Sequence, residues 1–336
     1  MNILFCSVPF RPSVGGIETV SELLADRFRR QGHTVVLVTR TAADADDGEA
    51  FRIVRRPGAR RLLGLVRWAD VVFHNNISLR LAWPQLMVRR PWVVAHHTWI
   101  PRTGLAGRIK RLALRGARHI AISHAIAADL PVPSTLVPNP FAETLFHPLA
   151  GVARTGELVF VGRLVSDKGV DRLLEALAVL AGRGRRYRLS VIGDGPEAPA
   201  LRAQAQSLGI AGQVEFVGRR VGDALVAALN AHRVLVVPSV WEEPFGIVVL
   251  EGLACGCVPV VTRSGGLPDA VGDCGLVVAR DDLAALADGI ASLVDDDARL
   301  AAFRARAAAH LARHAPDRVA GEYLQVIEDA RRSQRR

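Results

Sequence analysis

The stretch LVFVGRLVSDKGVDRLLEAL, residues 158–177, combines a short apolar run with a helical pattern. Its apolar residues 158–161 predict a buried strand, and the pattern from residue 170 to residue 181 predicts a helix. Strands that alternate with helices build parallel sheets through right-handed crossovers. The stretch therefore predicts an α/β fold.

The same alternation of apolar runs and helical patterns continues in both directions. Further helices are predicted at 196–208 and 222–231, and strands at 3–7, 34–39, 71–73, 92–95, 119–122, 189–192, 214–217, 234–237 and 258–261. Two successive series of strands predict two Rossmann-like domains, residues 1–150 and 151–336, with a boundary in the segment 147–157. We expect the last helices, from about residue 281, to complete the second domain.

Composition narrows the class of protein. Half of the 336 residues are apolar, enough for large buried cores, and no apolar run reaches the roughly 18 residues of a membrane span. The first ten residues predict a strand rather than a signal peptide. The four cysteines lack zinc-binding or C-x-x-C spacing, so we expect buried thiols.

Candidate phosphate ligands follow predicted strands, which is where parallel sheets bind ligands. Arg163 and Lys168 come just after the first strand of the second domain, and together they suit a pyrophosphate. Gly15 and Gly16 follow the first strand of the first domain and open a helix, whose free N–H groups can hold a phosphate. A turn that requires glycine is an equal alternative for this pair.

Two carboxylates, Glu243 and Glu251, lie eight residues apart in WEEPFGIVVLE, residues 241–251. The first is predicted in a loop and the second on the helix that follows. A carboxylate accepts hydrogen bonds from hydroxyl groups, so the pair is a candidate for binding a polyhydroxylated ligand. The alternative is a helix-capping role for Glu243 and a structural one for Glu251.

Three further patterns concern histidine, metal and cofactor chemistry. His96 and His97 end a predicted strand, and a histidine pair at that position favours a functional site. Asp44 and Asp46 resemble a D-x-D metal motif, but the polar segment around them predicts a solvated loop. The segment GDGPEA, 193–198, matches a dinucleotide-binding pattern that is weak alone and is crowded by prolines. We predict neither a metal nor a dinucleotide cofactor.

Together these motifs resemble those of the family 4 glycosyltransferases, which are retaining enzymes of GT-B fold. The resemblance covers nearly the whole chain and is carried, beside the opening stretch, by GGIE (15–18), HHT (96–98), VPNPF (137–141), VIGDGPE (191–197), VEFVGR (214–219), residues 237–261 and GGLPDAV (265–271). It implies two Rossmann-like parallel-sheet domains that face an interdomain cleft. It also implies a UDP- or GDP-linked sugar as donor, with no cofactor and no metal.

The resemblance assigns roles to individual residues. Arg163 and Lys168 would bind the diphosphate. Glu243 would contact the donor sugar and Glu251 the ribose, while His97 matches the family histidine that touches the donor sugar. The other donor-binding positions that it implies are Gly15, Gly16, Gly162, Gly218, Arg219, Phe245, Gly246 and Ile247.

The implied function is sugar transfer to a hydroxyl of a glycan, glycolipid or lipid-linked acceptor, in the synthesis of cell-surface polysaccharide or glycoconjugate. One alternative is a nucleotide-sugar epimerase or hydrolase of the same fold. The other is a non-catalytic protein that binds sugar nucleotides or polyanions. The sequence leaves the sugar, the base and the acceptor open.

The excess positive charge lies entirely in the first domain: residues 1–150 hold 20 basic and 10 acidic residues, and residues 151–336 hold 23 of each. A helix within 101–118 would place Leu105, Ile109 and Leu112 on one stripe. We expect a cytoplasmic protein that contacts the inner face of an anionic membrane peripherally and has no nucleic-acid partner. The cations expected at the membrane are Arg108, Lys110, Arg111, Arg115 and Arg118. The alternative is a helix packed on its own domain with its arginines in water.

Overall fold

The computed structural model describes residues 1–13, 15–43 and 51–334. It divides into two compact units, one formed by Met1–Pro140 with His314–Arg336 and the other by Phe141–Arg313. We call them unit 1 and unit 2. Asp44 and Asp46, considered above as a metal motif, lie outside the described residues.

Each unit is built on one parallel sheet. The strands are β1 (Asn2–Cys6), β2 (Thr34–Thr39), β3 (Arg52–Arg55), β4 (Val71–Asn75), β5 (Trp92–His96), β6 (Arg118–Ala121), β7 (Thr135–Leu136), β8 (Gly156–Val161), β9 (Leu189–Ile192), β10 (Val214–Gly218), β11 (His232–Val237), β12 (Val258–Thr262) and β13 (Leu276–Val278). The order is β3-β2-β1-β4-β5-β6-β7 in unit 1 and β10-β9-β8-β11-β12-β13 in unit 2. The central strands are rich in valine, leucine and isoleucine because both faces of each sheet are covered.

Helices connect the strands. They are α1 (Gly16–Arg30), α2 (Ala59–Trp68), α3 (Leu79–Ala82), α4 (Gly104–Ala113), α5 (His124–Asp129), α6 (Val170–Gly182), α7 (Ala198–Ser207), α8 (Asp223–Ala231), α9 (Ile247–Ala254), α10 (Leu267–Val271), α11 (Leu283–Val294), α12 (Asp297–Ala312) and α13 (Pro316–Gln334). Across the described ranges, none of these helices combines the length and the apolar character needed to cross a membrane.

The ten predicted strands and the helices predicted at 170–181, 196–208 and 222–231 occur within two residues of their predicted bounds, and the helix predicted within 101–118 spans Gly104–Ala113. The two parallel sheets confirm the predicted α/β fold. The strands that the sequence did not indicate are β3, β7 and β13, which all lie at sheet edges. All three have only two to four residues, and β3 and β7 also carry polar or exposed residues, so their apolar signal is weak. The four cysteines are free and buried, as predicted.

The prediction that the final helices all complete the second domain was wrong for α13, which belongs to unit 1. Tyr323 on α13 packs edge-on against Phe73 of β4, with ring centroids 5.8 Å apart. Asp317 forms an ion pair with Arg27 of α1, with Oδ1 2.7 Å from Nε. The sequence shows that α13 is amphipathic but not which sheet its apolar face covers.

Candidate functional site

The loop after β8 carries both predicted phosphate ligands. Gly162 donates its backbone N–H to Ile192 O across 3.0 Å, which holds the start of the loop against β9. Arg163 is exposed, and its guanidinium has no partner among the described residues. Lys168 ends a 3-10 turn, Ser166–Lys168, that leads into α6. Both cations therefore lie on the segment between β8 and α6.

Close backbone packing fixes this turn against the loop that follows β11. Gly169 has φ of 66°, in the region that favours glycine, and a Cβ there would lie 2.1 Å from Pro238 O. The backbone N–H of Val240 donates to Asp167 O across 3.1 Å. The turn and the loop thus form one packed element, which only glycine at position 169 permits.

Lys168 and Glu243 form an ion pair within unit 2. Lys168 Nζ lies 2.5 Å from Glu243 Oε1, and Ser239 Oγ donates to the same oxygen across 2.7 Å. Glu243 is buried, whereas Lys168 is half-buried. Glu243 Oε2 has no partner among the described residues. That oxygen can therefore accept a hydrogen bond from a ligand hydroxyl.

A second ion pair holds the same loop from another direction. Arg280 Nη1 lies 2.5 Å from Glu242 Oε1, and the backbone N–H of Gly265 donates to Glu242 Oε2 across 2.7 Å. Gly265 has φ of 52°, and a Cβ there would lie 2.0 Å from Glu243 O. These contacts tie residues 241–246 to two neighbouring loops and fix the backbone of Glu243.

Glu251 lies half-buried on the apolar helix α9. Burial raises the pKa of its carboxyl from 4.5 to about 7. No residue in the described part of the chain donates a hydrogen bond to it or forms an ion pair with it. A carboxylate without a partner is unfavourable at such a site, so the site favours a ligand that brings hydroxyl donors.

The other donor-binding positions predicted in unit 2 lie at the ends of strands and helices. Phe245 is buried, and Gly246 precedes α9, which begins at Ile247. No side chain caps this helix, so its first N–H groups are available to a ligand oxygen. Gly218 ends β10, and the guanidinium of the next residue, Arg219, is exposed without a partner among the described residues.

In unit 1, α1 begins at Gly16, with Gly15 at the preceding position. The Glu18 carboxylate folds back over this start, so that a Cβ on Gly15 would lie 2.7 Å from Glu18 Oε2. Ser13 Oγ donates to Glu18 Oε1 across 2.8 Å. The space left by glycine is filled by a carboxylate, so a phosphate that binds at this helix start has to displace it.

The two histidines at the end of β5, His96 within the strand and His97 after it, have different surroundings. Leu114 O accepts a hydrogen bond from His119 Nε2 at 2.8 Å, so the neutral His119 ring accepts at Nδ1 from His96 Nε2, 3.1 Å away. His97 is also buried, but its Nε2 has no partner among the described residues. Burial lowers the pKa of His97 to about 3, so its ring is neutral near pH 7. His96 has a structural hydrogen bond, and His97 has a free ring nitrogen.

One group of potential metal ligands occurs among the described residues: Asp273, Cys274 and His310, whose ligand atoms lie within 4.8 Å of one another. Both ring nitrogens of His310 are engaged, because Nε2 donates to Ala270 O at 2.8 Å and Nδ1 accepts from Arg313 Nη2 at 2.7 Å. An arginine at this position opposes a cation, so we assign no metal to the group.

Sequence reasoning missed the residues that hold Glu243 in place. Ser239 and Glu242 lie near it in the chain, and Glu242 had a visible signal as the other carboxylate of the Glu-Glu pair. Arg280 had none, because nothing in its own sequence neighbourhood links it to position 242.

The chain matches two family models. Residues 14–139 match "Glycosyltransferase Family 4", and residues 150–310 match "Glycosyl transferases group 1". The second match contains the Lys168–Glu243 pair and Glu251, and the first contains Gly15, Gly16 and His97.

Curated relatives match parts of the chain. A D-inositol 3-phosphate glycosyltransferase of Corynebacterium jeikeium is 41% identical over 138 residues, 38% of this chain and 33% of that protein. A 2-deoxystreptamine glucosyltransferase of Streptomyces kanamyceticus is 31% identical over 257 residues, 72% of this chain and 64% of that protein. The matched segments thus span a third of the first relative and less than two thirds of the second.

Solved structures match over nearly the full length. HepE of Anabaena, in complex with UDP and glucose, has a TM-score of 0.82 at 21% identity. The matched region covers 98% of this chain and 100% of the HepE chain. Sucrose-phosphate synthase of Thermosynechococcus elongatus has a TM-score of 0.79 at 21% identity, with 98% of each chain covered. At this identity the likeness concerns the fold.

Proposed function

Because the chain belongs to the family 4 glycosyltransferases, of GT-B fold, we propose that it moves a sugar from a nucleotide-diphosphate sugar to an acceptor hydroxyl. The observation that carries the proposal is the arrangement in unit 2. A lysine is paired with a buried carboxylate that keeps one oxygen free, and a second carboxylate has no partner among the described residues. A molecule with both phosphates and hydroxyl groups satisfies all three groups.

The roles of these residues follow from their chemistry. Arg163 and Lys168 bind the diphosphate, because an exposed guanidinium and an ammonium group both attract phosphate oxygens. Glu251 accepts hydrogen bonds from the ribose hydroxyls, which stabilise its ionised form. Glu243 accepts one from a hydroxyl of the donor sugar through its free Oε2.

In the reaction, the bond between the anomeric carbon and the β-phosphate oxygen breaks and a bond to the acceptor oxygen forms. Negative charge grows on the departing diphosphate, and Arg163 and Lys168 stabilise it there. In unit 1, the Gly16 amide is assigned to phosphate binding, which requires Glu18 to move aside. The acceptor hydroxyl approaches the face that the phosphate leaves, and a phosphate oxygen takes its proton. The sugar therefore keeps its anomeric configuration.

His97 supplies a neutral ring to this reaction. Its pKa of about 3 makes the neutral ring a weak base near pH 7, so we assign it hydrogen bonding to the donor sugar through Nε2. The pH profile of the reaction tests the neutral state of the ring, because a His97 that stays neutral contributes no titration between pH 5 and 9.

The acceptor that we propose is a glycan, a glycolipid or a lipid-linked sugar used in cell-surface polysaccharide or glycoconjugate synthesis on the cytoplasmic side of the membrane. The names of the relatives include D-inositol 3-phosphate and 2-deoxystreptamine, so small hydroxylated acceptors join the acceptor panel. UDP-sugars are the first donors to test, because HepE was solved with UDP and glucose.

The test is a panel of UDP- and GDP-sugars, scored by calorimetric binding and by release of the nucleoside diphosphate. We expect one nucleotide class to bind the native protein and to bind Lys168→Ala and Glu251→Ala at least about tenfold more weakly, as the loss of one charge-assisted contact predicts. An epimerised donor would instead indicate a nucleotide-sugar epimerase. Release of free sugar that no acceptor accelerates would indicate a hydrolase, and no binding of any donor would refute the proposal.

A further inference from the structure

Helix α4 exposes the apolar side chains that an ordinary surface helix buries. Its large apolar residues point to solvent: the exposed fractions are 75% for Leu105, 44% for Ile109 and 63% for Leu112. The one residue of α4 that is buried is Gly107, where a Cβ would lie 2.4 Å from Pro101 O. Amphipathic surface helices normally bury this stripe against their own domain, whereas α4 packs on its domain through Gly107 and leaves the stripe exposed.

More exposed apolar surface lies in the same layer of unit 1. Leu86 is 89% exposed and Met87 66% exposed, at the end of the 3-10 turn Trp83–Leu86. This turn, α2 and the end of α4 all contribute to one hydrophobic cluster over one face of the sheet. The exposed residues of the turn and of α4 therefore belong to the same helical layer.

The layer is also strongly basic. Six of its arginines are exposed, and their guanidinium groups have no ion-pair or hydrogen-bond partner among the described residues: Arg60, Arg61, Arg67, Arg89, Arg108 and Arg115. Between residues 50 and 128 the sequence has one acidic residue, Asp70, which accepts a hydrogen bond from the backbone N–H of Asn2 at 2.8 Å. The layer thus offers cations with almost no opposing charge.

Not every cation expected at this surface is available. Arg111 Nη2 donates to Ile100 O at 3.0 Å and lies 3.4 Å from Asp129 Oδ2. Arg118 Nη2 donates to Ser333 Oγ at 3.0 Å. These two arginines are engaged inside unit 1, whereas Arg108 and Arg115 flank the exposed apolar stripe without such contacts.

We propose that this layer docks on an anionic lipid bilayer. Leu105, Ile109 and Leu112 enter the headgroup region, and the surrounding arginines bind lipid phosphates. Charge complementarity alone would also fit a nucleic acid. However, protruding aliphatic side chains neither stack on bases nor bind phosphate, whereas the acyl boundary of a membrane accepts them. The proposal does not depend on the proposed function, because docking needs no donor.

The test is sedimentation of the full chain with vesicles of phosphatidylcholine alone or with phosphatidylglycerol added, without nucleotide sugar. We expect retention on the anionic vesicles and little on the neutral ones. Leu105→Gln/Ile109→Gln/Leu112→Gln should weaken partitioning at least about tenfold, because each buried methylene contributes to insertion. Arg108→Glu/Arg115→Glu should weaken it at least about 25-fold, since each cation near the surface is worth roughly fivefold.

Matched variants control for charge and for exposed apolar area. Arg186→Glu/Arg299→Glu changes the net charge equally at exposed positions of unit 2, and Leu136→Gln/Val152→Gln removes exposed apolar residues elsewhere. Both should bind like the native chain. The proposal is overturned if anionic vesicles do not retain the native protein. It is also overturned if the α4 glutamine variant binds unchanged, or if duplex DNA competes for a site that this variant leaves intact.

Discussion

Replacing Glu251 with glutamine should stabilise the free protein in a pH-dependent manner. Below about pH 4.5 the carboxyl is protonated in both the folded and the unfolded chain, so it has no effect. From there to about pH 7 the unfolded chain has lost the proton while the folded chain keeps it, so the free energy of unfolding of the native protein falls as pH rises. Each pH unit in this interval is worth about 1.4 kcal/mol, so the cost at pH 8 approaches about 3 kcal/mol.

Urea denaturation of Glu251→Gln and of the native chain at pH 4 and pH 8 measures this difference. We expect no difference at pH 4 and a more stable variant, by up to about 3 kcal/mol, at pH 8. Glu215→Gln, at an exposed position of β10, is the matched control and should show no such change. A stability difference that does not vary with pH would show that burial of the unpaired carboxylate does not raise the pKa of Glu251.

Three more outcomes follow from unit 2. Lys168→Met leaves a buried carboxylate without its cation and should lower the free energy of unfolding by roughly 1–3 kcal/mol in urea denaturation, less if water screens the half-buried pair. Gly169→Ala should lower the thermal midpoint and the free energy of unfolding, the latter by more than about 1 kcal/mol, because the φ of 66° and the nearby Pro238 O exclude a Cβ. The control Gly182→Ala has open space around it and should be neutral or stabilising. Glu242→Gln, which breaks the ion pair with Arg280, should change the free energy of unfolding by less than about 1 kcal/mol. It should reduce donor turnover about tenfold or more, and turnover equal to that of the native chain would contradict a positioning role for Glu242.

Much of the fold follows from local sequence. The apolar runs of the central strands are long enough to be recognised, and their order along the chain predicts parallel sheets. The edge strands β3, β7 and β13 escaped prediction because two to four residues are too few for a strand pattern to be recognised. The placement of α13 escaped it because amphipathicity identifies an apolar face but not its partner.

The sequence indicates which residues form the candidate site, but it does not indicate how their side chains are arranged. The motifs identify Lys168 and Glu243, yet their contact depends on backbone packing between two loops that are far apart in the chain. The raised pKa of Glu251 depends on burial without a partner, which no spacing expresses. The outward apolar stripe of α4 could not be predicted either, because periodicity shows a stripe but not the side of the helix that the domain covers.

One experiment tests both halves of the proposed function, the binding of a nucleotide-diphosphate sugar by unit 2 and the transfer of its sugar with retention. The direct measurement is proton NMR of the reaction with the donor that binds and an acceptor found in the panel, read at early times for the anomeric configuration of the new linkage. We expect release of nucleoside diphosphate together with a product that keeps the donor's anomeric configuration, and loss of both in Lys168→Ala. An inverted product, or turnover that survives Lys168→Ala and Glu251→Ala unchanged, would overturn the proposed function.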